Sequence, residues 1–334
     1  MSRTVTVGLD GSRESLAAAE WAAREARLRA LPLRLVNVWE PVPEPMGRAP
    51  MLGAPTSGAL AATSGRRGEQ DGPGRGAPGG TGAGKTLTDA AERIRLRHPG
   101  VDVGVEQLTG RASEALVDAA QGAELLVLGS RGLSGVAGFL LGSVGLHVVA
   151  HTERPVVLVR AGRGAGVRAA DEYAPGPADS TVADSPAAEA PLRPVALGLD
   201  TAHPDPTLIR FAFEAAASRG TALRILHDWS PPAHSGLRER PGMDADLDAD
   251  LGRVQAVALT EVLQPWRREF QGVEVVEESR RGKAVDHLLE ASLEASLLVV
   301  GRRVRHSPLG ARIGPVVHGV LHHARVPVAV VAHG

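Results

Sequence analysis

The stretch that decides the fold is TVTVGLDGS, residues 4–12, because it reappears further on as PVALGLDTA, residues 194–202. In this alignment Asp10 corresponds to Asp200. In both copies a short apolar run, typical of a buried strand, ends at a carboxylate that precedes turn-forming residues. An internal repeat of this kind predicts two copies of one structural unit in the chain.

The repeat continues through both halves. LRLVNVW, residues 33–39, matches LRILHDW, residues 223–229, at the same offset as the first pair of segments. Later segments match at a shorter offset, which pairs Gly129 with Gly301. The difference between the two offsets is extra sequence in the first copy.

Each copy alternates short Val- and Leu-rich runs with amphipathic helical patterns. In the first copy the runs are TVTVGL, LRLVNVW, VDVGVEQL, ELLVLG and PVVLVR. Nearly continuous apolar strands separated by helices indicate a parallel sheet that is covered on both faces. We therefore predict an α/β protein with two tandem, doubly wound domains, residues 1–160 and 194–334. A linker at 161–193 joins them, and a disordered Gly/Pro-rich insertion at about 41–86 interrupts the first.

The bulk composition excludes several classes of protein. The 334 residues include 37 basic and 38 acidic side chains, and this balance argues against a dedicated nucleic-acid binder. Cysteine is absent, which excludes disulfides and thiolate chemistry. The chain begins without a secretory signal pattern and contains no apolar run long enough to span a membrane, so we expect a soluble cytoplasmic protein.

One stretch matches the phosphate-binding P-loop pattern letter for letter. It is GGTGAGKT, residues 79–86. A P-loop needs a strand before its glycines, but residues 61–86 contain no Val, Ile, Leu, Met, Phe, Trp or Tyr. We interpret the match as a product of glycine-rich composition, and a P-loop NTPase that uses Lys85 stays as the alternative. Residues with helical spacing follow the match: Leu87, Ala91 and Ile94.

A carboxylate ends the first predicted strand. Ligands of an open parallel sheet bind beyond the carboxyl ends of its strands, where Asp10 stands. Asp10 is therefore a candidate acceptor for a ribose hydroxyl or an adenine amine. The alternative is that it only caps its own turn, before Ser12 as the N-cap of the next helix.

A second glycine-rich loop is more informative. LGSRGLSGVAGFLLGSVG, residues 128–145, has the spacing G-x2-G-x9-G-[ST]. Gly129 ends a strand, where a side chain would block a ligand, and Gly132 allows a positive φ. Gly142 and Ser143 open a helical pattern, so their N–H groups and the hydroxyl favour phosphate binding at a positive helix end. An ordinary loop in which Ser143 is the N-cap is the alternative.

These motifs, together with the repeat and VGLDGS, resemble the universal stress protein family in its tandem form. The resemblance covers nearly all of the chain except the insertion and the linker. It implies ATP as the ligand, with Mg, and five-stranded sheets. By the same resemblance Asp10 contacts the ribose–adenine end and Val38 lines the adenine pocket through its backbone. The residues that would cradle the phosphates are Gly129, Gly132, Gly142, Ser143 and Val144.

The resemblance also implies pairing through the last strand of each domain, PVVLVR and VPVAVV, either within one chain or in a homo-oligomer. We expect a regulatory or stress-response binding protein with an unknown protein partner, because no catalytic set can be assigned. Slow ATP hydrolysis is left open, and a nucleotide-free scaffold is the rival interpretation.

The second copy departs from the motif. Gly301 and Gly314 remain, but Val304 replaces the second glycine and Pro315 replaces the serine. Proline offers a phosphate neither N–H nor hydroxyl, so we predict that the second site is weak or empty. Histidines at i, i+4 spacing late in each copy, such as His147 and His151, are interpreted as solvated residues of a helix face rather than metal ligands.

Overall fold

The computed structural model describes residues 3–40, 80–130, 142–161, 193–230, 244–304 and 313–334. The elements of the first half are β1 (Val5–Leu9), α1 (Arg13–Arg29), β2 (Leu33–Trp39), α2 (Gly80–Arg97), β3 (Val103–Thr109), α3 (Ala112–Gln121), β4 (Leu125–Ser130), α4 (Ser143–His151) and β5 (Val156–Arg160). Those of the second half are β6 (Val195–Gly198), α5 (Pro206–Arg219), β7 (Leu223–Trp229), α6 (Asp244–Glu269), β8 (Val275–Arg281), α7 (Ala284–Ser292), β9 (Leu297–Arg303), α8 (Pro315–His323) and β10 (Val328–His333).

The strands form one sheet in the order β3-β2-β1-β4-β5-β10-β9-β6-β7-β8. Within each half the neighbouring strands are parallel, in the doubly wound order, which confirms the predicted fold class. The halves meet where β5 and β10 pair antiparallel, with Val157 opposite Ala329. The predicted last-strand pairing therefore occurs within one chain.

Helices cover both faces of the sheet, and the core on each face runs through both halves. The α1 side buries a stripe of small residues against the sheet, which lets the helix approach closely: Ala18, Ala19, Ala22, Ala23 and Ala26. On the opposite face Leu116 and Val148 of the first half belong to the same buried cluster as Leu288 and Val320 of the second. Within the described residues no helix is both long and apolar enough to cross a membrane.

Helix α2 changes the predicted boundary of the insertion. It begins at Gly80, so the last residues of the segment predicted to be disordered, 80–86, are helical. The buried residues Leu87 and Ile94 dock the helix on the sheet, and a docked helix extends at low cost because each added residue gains a hydrogen bond. Residue 85 is the sixth of the helix, whereas a P-loop needs an open loop at that point.

A buried ion-pair cluster joins the two halves on the α1 side. Glu25 of α1 pairs with Arg29 one turn later at 2.6 Å and with Arg219 of α5. Arg29 also lies over the ring of Phe211, and Arg219 over that of Trp21, at 5.2 and 6.0 Å from the ring centroids. Burial acts to raise the pKa of the Glu25 carboxyl, but Arg219 and Arg29 outweigh it and hold that pKa below its ordinary value.

Two further arginines cross between the halves on the opposite side. Arg160 of β5 donates to the carbonyl oxygen of Leu321 in the last turn of α8, at 2.6 Å. Arg302 of β9 donates to the carbonyl oxygen of Thr152, the C-cap of α4, also at 2.6 Å. A cation at a helix C-terminus is favoured by the unsatisfied carbonyl groups there. Each half therefore stabilises a helix of the other.

Candidate functional site

The candidate site is a cavity of about 330 Å³ at the carboxyl ends of β1, β2 and β4. Strand β2 follows β1 in the chain and lies on one side of it in the sheet, whereas β4 lies on the other side. The strand order therefore reverses between β1 and β4. Open α/β sheets bind ligands at such a switch point. Six of the seven predicted residues line it: Asp10, Val38, Gly129, Gly142, Ser143 and Val144. The seventh, Gly132, lies outside the described residues.

The turn after β1 explains where Asp10 points. Its Oδ1 accepts from the backbone N–H of Ser12 at 2.9 Å and from the Ser12 hydroxyl at 2.5 Å. Ser12 is the N-cap of α1, as predicted, and accepts from the N–H of Ser15. Gly11 between them has φ +80°, which favours glycine. Asp10 thus caps its own turn and also lines the cavity, so its capping role leaves room for contact with a ligand.

The packing around Gly129 also requires a glycine there. A Cβ atom on Gly129 would lie 2.5 Å from the backbone carbon of Glu14 and 2.6 Å from the backbone nitrogen of Ser15. The clash is with the first turn of α1. The glycine allows β4 to approach the helix start closely, and this approach places the capped turn of Asp10 at the cavity.

The N-terminus of α4 supplies the polar donors of the cavity. Gly142 is the N-cap, with extended φ −61° and ψ 152°, and Ser143 is the first helical residue. Ser143 is therefore not the N-cap, whereas the interpretation of this segment as an ordinary loop is not tested by this geometry. The first intrahelical bond runs from the N–H of Leu146 to the carbonyl of Gly142. The N–H groups of Ser143, Val144 and Gly145 consequently have no acceptor within the helix.

The remaining walls are apolar and include residues that sequence reasoning missed. Val36 and Val38 face the cavity from β2, and Ala112 and Leu116 line it from α3. The period of two along β2 could have assigned Val36 together with Val38, but no motif marked the α3 pair. Among the described lining residues Asp10 carries the only charge, so the positive end of α4 is the main attraction for an anion there.

A second cavity, of about 610 Å³, occupies the corresponding edge of the second half. Gly314 and Pro315 begin α8 as Gly142 and Ser143 begin α4, with Gly314 at φ −67° and ψ 159°. Proline is accepted there because the first helical N–H has no intrahelical acceptor. Val304 does not take up the positive φ expected of that position. It directly follows the last residue of β9, and its N–H donates to the carbonyl of His333 at 2.7 Å.

The late histidines form two pairs of contacting rings, one stacked and one tilted. The ring centroids of His147 and His151 lie 4.0 Å apart, and those of His318 and His322 lie 4.2 Å apart. Within the part of the chain that the structure describes, no group of three or more His, Cys, Asp or Glu side chains is arranged to hold a metal ion.

Comparison with known proteins agrees with the fold and the repeat. The family model described as "Universal stress protein family" matches residues 1–160 and 191–332. The universal stress proteins Rv2005c and Rv2623 of Mycobacterium tuberculosis are each 29% identical to this chain over 98% of its length, covering 96% and 95% of their own. A universal stress protein structure from Archaeoglobus fulgidus aligns over 100% of both chains with a TM-score of 0.56 at 16% identity, which shows the shared fold. The chain belongs to the universal stress protein family.

Proposed function

We propose that the first domain binds ATP with Mg²⁺, and that the protein is a nucleotide-responsive binding protein of the stress response rather than an enzyme. The observation that carries the proposal is the start of α4. Three N–H groups without an intrahelical acceptor open from it into the cavity that Asp10 also lines. Such a helix start is a ready anion site, and Asp10 offers an acceptor for hydroxyl or amino groups.

The charges of the cavity support a divalent cation as part of the ligand. Asp10 is negative and no Lys or Arg is present among the described lining residues, so a bare triphosphate would be poorly compensated. Mg²⁺ bound to the phosphates would supply the missing positive charge. The apolar walls formed by Val38 and Leu116 suit the face of a nucleobase.

A binding role is also supported by the hydroxyl groups of the cavity. The Ser12 hydroxyl donates to Asp10 and accepts from Ser15, and the Ser15 hydroxyl donates to the carbonyl of Ser12. Both groups take part in capping α1, and we assign them this structural role rather than a catalytic one. Nucleotide occupancy would instead act on α4, whose far end contacts Arg302 of the other half.

The test is a calorimetric titration of the nucleotide-stripped full chain with Mg-ATP. We expect one equivalent per chain. Ser143→Pro should weaken binding about tenfold or more, because it removes an N–H and a hydroxyl. The variant leaves the backbone unstrained, since Gly314 precedes Pro315 with nearly the same φ and ψ as Gly142.

Lys85→Ala is the matched control and should leave binding unchanged. Loss of ATP binding in that variant would favour the P-loop alternative. Absence of binding at millimolar ATP would identify a nucleotide-free scaffold, and two equivalents would show that the second cavity also binds ATP.

A further inference from the structure

Among the differences between the two cavities is a hydrogen-bonded pair of side chains in the second half. When the two copies are aligned, Val38 of the first half corresponds to Asp228, and Ala115 corresponds to His287. The second half thus has a carboxylate and an imidazole where the first half has two apolar side chains. The Nδ1 atom of His287 and the Oδ1 atom of Asp228 are hydrogen-bonded.

This pair is built into the structure. The Asp228 side chain is 5% exposed and lines the cavity, while the His287 ring lies beside it on α7. The ring fits against Gly282, where a Cβ atom would lie 2.7 Å from Cε1 of His287. A carboxylate this buried is costly unless it is paired, so the histidine holds Asp228 in place at the cavity wall.

The polar lining of the cavity is mixed: Arg303, His203 and His333 add basic groups, but two features at its rim disfavour a triphosphate. Pro315 removes the first N–H of α8, and Asp200 adds a second carboxylate at the end of β6. Arg302 lines the cavity, but its guanidinium donates to the Thr152 carbonyl of the other half. The opposite wall consists of apolar side chains, among them Leu226, Leu288 and Val300, which suit a planar group.

We propose that the second cavity binds a small molecule with a planar N–C–N group that donates two N–H bonds to Asp228. A carboxylate pairs best with two parallel N–H donors, as in a guanidinium. The hydrogen-bonding edge of guanine presents the same pair of donors. Adenine places an acceptor nitrogen beside its amino group, and that nitrogen would face the carboxylate. This site therefore selects against adenine, and the proposal does not depend on ATP binding in the first domain.

The experiment compares guanosine, L-arginine and adenosine as probes in calorimetric titrations of the full chain. We expect either guanosine or L-arginine to bind with one equivalent per chain. Binding of guanosine would identify a nucleobase as the ligand group, and binding of L-arginine would identify an alkyl guanidinium. Asp228→Asn should weaken that binding about tenfold or more, because it replaces a charge-assisted acceptor by an amide. The exposed Asp286 on the same helix as His287 supplies the control, and Asp286→Asn should have no effect.

A second variant distinguishes loss of binding from loss of the folded structure. Asp228→Val combined with His287→Ala restores the residues of the first half, and it should fold with an unchanged thermal midpoint while losing the probe. The proposal is overturned if neither guanosine nor L-arginine binds at millimolar concentration. It is overturned equally if binding survives both variants, or if adenosine binds with a dependence on Asp228.

Discussion

At the scale of single residues, Gly129 shows how packing and binding share one position. It lines the cavity, yet the atoms that forbid a side chain are the backbone atoms of Glu14 and Ser15. Backbone in the first turn of a capped helix cannot move aside as a flexible side chain can. A glycine in a ligand-binding motif can thus serve the scaffold that positions the site, and its effect on ligand affinity is then indirect.

We therefore predict that Gly129→Ala lowers the free energy of unfolding by about 1–3 kcal/mol, the usual cost of forcing an extra carbon into a packed site. Urea denaturation of the nucleotide-free protein measures it. Gly104→Ala in β3 is the matched control, because its Cβ would lie 3.9 Å from the nearest atom, and its effect should stay within about 0.5 kcal/mol. Equal stability of the two variants would show that α1 shifts to admit the methyl group.

At the scale of elements, the contact between α1 and α5 depends on one carboxylate. Glu25 is 1% exposed and lies between Arg29 and Arg219, which come from different halves of the chain. The aromatic faces of Trp21 and Phe211 cover the two guanidinium groups. Removing one member leaves buried charge uncompensated, which is more costly than losing an exposed pair.

Glu25→Gln should lower the free energy of unfolding by roughly 3 kcal/mol at neutral pH. Glu114→Gln is the control, since Glu114 and Arg111 form an exposed pair at 3.4 Å, and it should change little. Urea denaturation at pH 7 distinguishes them. If the two variants are equally stable, the cluster does not stabilise the contact between the halves.

The cluster also predicts a direction for the pH dependence. The folded pKa of Glu25 lies below its ordinary value of 4.5, so its ionised form stabilises the fold. That contribution is fully present above about pH 4.5 and is lost as the pH falls toward the folded pKa. Unfolding free energies measured from pH 7 to pH 3 should therefore fall less steeply for Glu25→Gln than for the unaltered protein.

The elements also show which features the sequence could predict. The strands follow from their Val- and Leu-rich runs, and the site at the ends of β1, β2 and β4 follows from Asp10 and the glycine spacing. The start of α2 at Gly80 could not be predicted, because glycine-rich sequence has low helix propensity and the docked residues Leu87 and Ile94 lie downstream. The partnership of Glu25 with Arg219 depends on how the two halves pack, and no local pattern encodes it.

At the scale of the whole molecule, several structural features join the two halves. One sheet passes through both, with β5 and β10 buried at its centre. The apolar cluster on each face includes residues of both halves. Arg160 and Arg302 each reach a helix end in the opposite half. Neither half could expose its last strand to water without losing buried apolar surface and strand hydrogen bonds.

We therefore predict a single calorimetric unfolding transition whose measured enthalpy equals the van't Hoff enthalpy. Ala329→Glu should divide it into two transitions, because Ala329 is fully buried in β10 opposite Val157 and an unpaired carboxylate there costs several kcal/mol. The second half should then unfold at the lower temperature. Val105→Glu, at an exposed position of the edge strand β3, should leave one transition. Two transitions in the unaltered protein would instead mean that the halves are stable independently, and that the central strand pair joins them without coupling them.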